Sequence, residues 1–91
     1  MNKDELLRAR IYLGLSHDGL AEVLEVAAGR TVRRWEAGEK EVPGPAAVLL
    51  DVLIEFPEVR EFLDIPPQPQ WETPFEEWEK LFIAGAVNPK P

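Results

Sequence analysis

The chain has no cysteine and a single histidine, His17. Neither a disulfide framework nor a thiolate zinc site is therefore open to it, and a lone imidazole does not make a metal cluster. Long apolar runs are missing as well: nothing approaches the ~18 to 20 consecutive apolar residues of a membrane span. The first residues, with Lys3, Asp4 and Glu5 ahead of an amphipathic stretch, lack the basic segment and cleavable apolar run of a secretory signal. No metal, no cofactor and no membrane are expected, and the expected location is the cytoplasm. Cations are scarce, ten Lys and Arg against seventeen Asp and Glu, for a net charge of -7. That balance argues against a nucleic-acid partner, because affinity for phosphates comes largely from cations that displace counterions.

The distribution of charge reverses the argument locally. From Gly29 to Lys40 there are four cations, Arg30, Arg33, Arg34 and Lys40, against Glu36 and Glu39, a net +2 that leaves -9 on the rest. One cationic edge on an acidic body fits a protein that meets DNA on one side. Ninety-one residues make one small domain plus an appendage, a core built from roughly sixty residues being close to the minimum that folds without covalent help.

Leu6, Ala9 and Leu13 recur at helical spacing, so Lys3 to Leu13 reads as a first helix, stopped by Gly14. Ser16 then caps a second over His17 to Glu25, with Leu20, Ala21 and Leu24 inward. After the compact Val26, Ala27, Ala28 and Gly29, a third short helix carries Val32 and Trp35 at a spacing of three and ends at Gly38. Pro45 suits the first turn of a fourth, which runs to Phe56 and is apolar over more than half its circumference. Pro57 opens a fifth, in which Val59, Phe62 and Leu63 are expected to close the core. The run from Ile65 to Gln70 holds three prolines and reads as an extended linker. Beyond it Thr73, Pro74 and Glu76 have the spacing of a capping box for a last helix to about Ala84, with Phe75, Trp78 and Phe82 along one side, Gly85 as its stop and Asn88 to Pro91 as a loose end. The expectation is an all-α protein: five helices over residues 1–64, then a Pro-rich linker and a short acidic aromatic helix over 65–91.

The string LGLSHDGLAEVLEV followed by GRTVRRWEAGEKEVPGP resembles the lambda-repressor-like, Xre-type helix-turn-helix family of phage and bacterial regulators, over roughly Leu6 to Leu53. Three positions depart from the family pattern. His17 stands where glutamine commonly touches the DNA backbone, Glu25 stands where glycine usually follows the second helix, and the turn before the third helix is one residue longer. The resemblance implies a homodimeric DNA binder whose third helix enters the major groove. It puts Leu20, Ala21, Leu24, Val32 and Trp35 in the motif core, Arg30, Thr31, Arg33, Arg34, Lys40 and His17 near DNA, and Arg10 with Glu36 in an ion pair between the first and third helices. Arginine binds guanine bidentately and also binds phosphate; Arg30 and Arg33 are assigned to bases, Arg34 and Lys40 to phosphates.

The function expected is a sequence-specific double-stranded DNA-binding transcriptional regulator, a repressor of phage or prokaryotic type. The homodimer is expected to form through Val48, Leu49, Val52, Leu53 and Phe56, since a lone domain covers one stripe of a helix and not most of it. The rival is a protein-interaction module, antitoxin-like or a phage-encoded inhibitor, that uses the acidic helix after the linker to bind another protein, with DNA binding secondary or lost. In the leading reading the Phe75, Trp78 and Phe82 stripe docks on its own helical unit or on the dimer mate. An enzyme is not expected: Ser16 beside His17 provides no orienting acid, and Glu76, Glu77 and Glu79 have no second ligand type.

Overall fold

A computed structural model describes residues 1–86, and the expectation for Asn88 to Pro91 lies outside them. The described chain is helical, without a strand: α1 (Lys3–Leu13), α2 (His17–Val23), α3 (Gly29–Glu36), α4 (Gly44–Glu55), α5 (Pro57–Phe62), a 3-10 turn (Pro69–Glu72) and α6 (Phe75–Ile83). No helix among these residues is long and apolar enough to cross a membrane.

The starts of α1 and α2 have a local cause. Asn2 accepts from the Glu5 amide at 2.8 Å while the Glu5 carboxylate accepts from the Asn2 amide at 3.2 Å, a reciprocal cap for α1. Ser16 accepts from the Gly19 amide at 2.9 Å and starts α2. The core is then assembled from one stripe of each helix: Leu6, Ala9 and Leu13 from α1, Leu20 and Ala21 from α2, Val32 and Trp35 from α3, Ala46, Leu50 and Leu53 from α4. Leu24 packs against this cluster but is only half-buried.

Several expectations change. α2 ends at Val23, two residues before the expected Glu25, because Glu25 adopts a left-handed φ of 55°. Phe62 is 83 % exposed and Leu63 also lies at the surface, so neither closes the core. Ile65 does so instead: Asp64 takes a φ of 57°, the Ile65 amide donates to Arg60 O at 3.0 Å, and the chain turns back inward. Arg60 fills the remaining inward position of α5, donating from one guanidinium nitrogen to Leu53 O at 2.7 Å and Ile54 O at 2.9 Å, carbonyls at the end of α4 that lack helical partners. Its guanidinium stacks over Trp71, 4.2 Å from the ring centre.

The segment expected to be an extended spacer lies along α1. Gln70 Nε2 donates to Ile11 O at 3.2 Å and Tyr12 O at 2.9 Å, and Trp71 Nε1 donates to Tyr12 O at 2.6 Å, so two side chains cap the carboxyl end of α1. The capping box at Thr73 does not form: α6 starts at Phe75 after Pro74, and no side chain caps it. Thr73 O accepts from the Tyr12 hydroxyl at 2.8 Å. Tyr12 meets Phe75 and Trp78 at ring separations of 5.0 and 5.2 Å, Trp78 is buried, and Arg8 holds Glu79 at 2.7 Å. The aromatic stripe of α6 is thus docked on α1 of its own chain.

Candidate nucleic-acid interface

The exposed cations that sequence assigns to one edge are held by the packing of α3 on α2. Gly29 is the first residue of α3 and is buried; a Cβ there would overlap the Asp18 side chain and stand 2.9 Å from the Asp18 amide nitrogen. The turn before α3 therefore places a glycine where α3 packs against Asp18 of α2. Val32 and Trp35 are buried on the inner side of α3. Arg30, Arg33 and Arg34, at positions i, i+3 and i+4, share the opposite face and are all exposed. Thr31 lies half-buried on the flank between the two faces.

A shielded ion pair sets the pose of that face. Arg10 donates to both oxygens of Glu36, at 2.7 and 3.0 Å, and to Leu15 O at 3.1 Å, with only 8 % and 11 % of the two side chains accessible. The oxygen at 3.0 Å, Oε1, is also 3.4 Å from His17 Nε2. Glu36 of α3 therefore contacts residues from α1 and α2 at once. His17, half-buried, faces this carboxylate as well as solvent.

The cations differ in what they touch. Arg34 Nε is 3.4 Å from Glu39, with both side chains more than half exposed. Among the described residues Arg30, Arg33 and Lys40 meet no carboxylate. Lys3 joins this set, which the sequence did not indicate: its side chain crosses Gly38, the residue that ends α3 with a φ of 78°. Gly38 was legible as a stop; the approach of a lysine from α1 is a tertiary contact with no local signal. Comparison of the chain with family models, with curated proteins and with solved structures gives no match.

Proposed function

We propose that the protein is a sequence-specific double-stranded DNA-binding regulator of the lambda-repressor-like helix-turn-helix type, acting as a repressor. The observation that carries this reading is the outer face of α3: Arg30 and Arg33 are exposed and meet no carboxylate among the described residues, although the chain has a net charge of -7. Cations in an excess of acid are readily absorbed into ion pairs, as Arg8 and Arg10 are. Arg30 and Arg33 escape this and lie on one short helix whose inner side is buried, the form a reading head needs to meet base edges.

In this reading α2 braces α3, and Arg30 and Arg33 donate to guanine O6 and N7 in the major groove. Arg34 and Lys40 bind phosphate. The exposed contact of Arg34 with Glu39 is of the kind worth little in water and exchanges for a phosphate at small cost. Thr31 and His17 flank the contact. The protein acts as a dimer through the outward ridge of α4, where Val48 is 62 % exposed and Val52 and Phe56 follow at four-residue spacing. Leu53, expected at that interface, is instead fully buried in the core and takes no part. The rival module built on α6 is weakened, since Trp78 is covered by Tyr12.

The test is binding of the purified chain to duplex DNA from upstream of its own gene and to random duplex, at two salt concentrations. Tighter binding to the first, weakened by salt for both, supports the reading. No duplex binding at low salt refutes it.

A further inference from the structure

The cations without a carboxylate partner are not scattered. Among the described residues they are Lys3, Arg30, Arg33, Lys40 and Lys80, once Arg60 is set aside as held by backbone carbonyls. Four of the five belong to α3 or to a groove at its carboxyl end. That groove, of about 540 Å³, is lined by Lys3, Lys40, Trp35, Gly38 and Glu41 among others. Lys3 reaches it from α1: its Cδ lies 3.4 Å, and its Nζ 4.0 Å, from where a Cβ on residue 38 would stand. Glycine at 38 thus serves both the left-handed turn and the passage of the lysine stem.

The position relative to the arginine face suggests an occupant. From Arg30 to Glu36 α3 advances ~9 Å at 1.5 Å per residue, and the Gly38 turn follows. The groove therefore stands beyond that distance along the helix axis from Arg30, on the scale of the ~12 Å width of a major groove. A helix that sets Arg30 against base edges brings its other end to the lip of the major groove, where the phosphates of one strand run. We infer that Lys3 and Lys40 form a two-lysine clamp for a DNA backbone phosphate, extending the contact made by α3; the inference rests on the DNA-binding reading above. Glu41 is the single acidic residue among those lining the groove, beside the two lysines. Lysine suits the task, since a compact ammonium on a flexible stem serves phosphate as a point charge and carries no base information.

A lysine beside the carboxyl end of a helix also stabilises that helix through its dipole, and the experiment separates the two roles. Wild type, K3Q, K40Q and the double variant are titrated with several random-sequence duplexes over a range of salt, and melted in parallel, with R33A as reference. The double variant is expected to bind every duplex about 5- to 10-fold more weakly at ~0.1 M salt and to lose about 0.9 from the salt slope. Wild-type affinity and slope in the double variant overturn the clamp, as does a lowered melting temperature with the slope unchanged. If R33A weakens binding and the double variant does not, the clamp alone falls; if wild type binds no duplex, the DNA-binding reading falls and takes the clamp with it.

Discussion

Arg10 and Glu36, 26 residues apart, meet through two parallel hydrogen bonds of 2.7 and 3.0 Å, nearly closed off from solvent. The pair joins α1 to the last turn of α3, the helix whose other side carries Arg30, Arg33 and Arg34. The angle at which those arginines leave the surface is therefore tied to a contact on the inner side of the same helix.

Glu36→Ala leaves the Arg10 guanidinium shielded without its counter-charge, and removing one member of such a pair costs about 3 to 5 kcal/mol. Thermal melting of E36A is expected to fall steeply. The double variant R10M/E36L, which removes both charges, is expected to melt above E36A. A double variant no more stable than E36A would show that the pair is not the source of the loss.

Glu25 occupies a left-handed position, φ 55°, between α2 and α3, at a cost of roughly 1 to 2 kcal/mol for a residue with a Cβ. Glu25→Gly is expected to stabilise the fold by about 1 kcal/mol, or ~4 to 8 °C in Tm for a chain of this size. An unchanged or lower Tm would mean that this turn relaxes to another conformation.

Much of the helical frame was legible because it is written locally. The bounds of α1, Lys3 to Leu13, follow from an apolar stripe and the glycine at 14, and the starts of α2 and α5 follow from Ser16 and Pro57. The arginine face of α3 follows from Val32 and Trp35 pointing the other way. What was not legible depends on long-range partners. Arg60 reads as a surface cation until the end of α4 supplies carbonyls to it, and Ile65 reads as linker until Asp64 turns the chain. Tyr12, Gln70 and Trp71 carry no motif, yet they fasten residues 70 to 73 to α1. The excess of apolar residues on α4 was visible, but which of them turn inward was not: Leu53 is core and Val48 is surface.

Trp78 is expected to contribute stability to the whole chain, since it is buried against Tyr12. Trp78→Ala should cost about 3 to 5 kcal/mol if the site stays open after truncation. A melting curve for W78A that matches wild type would show that α6 does not dock on α1 in solution.

Burial, the largest influence, pushes the Tyr12 hydroxyl above its ordinary value of 10.0; the Arg60 charge opposes the shift and Glu55 adds to it. The folded chain thus holds this proton more tightly than the unfolded chain does. The stability gained is fully present below pH ~10 and is lost as pH rises through the folded value. Because the chain has one tyrosine, tyrosinate absorbance followed with pH reports this group alone. It should titrate later in the folded protein than in urea, and Y12F should remove that part of the alkaline loss of Tm. Coincident folded and unfolded titrations would contradict the burial.

The arginines of α3 give the sharpest test of the proposed function. Arg33 and Arg34 are both exposed, so alanine at either is expected to leave the melting temperature close to that of wild type. Their effects on DNA should differ in kind. A base-reading arginine, the role proposed for Arg33, contributes to one operator position, so R33A should lose about 1 to 3 kcal/mol on operator and relax the preference there. A phosphate-binding arginine, the role proposed for Arg34, contributes alike to all duplexes. R34A should therefore weaken operator and random DNA by the same factor and lower the salt slope by about one unit. Arg34 must also release Glu39, 3.4 Å away, to reach a phosphate. E39Q is accordingly expected to tighten binding to every duplex slightly, in the direction opposite to R34A. If R33A and R34A both remain folded and bind operator as wild type does, the outer face of α3 is not the reading head and the repressor proposal fails.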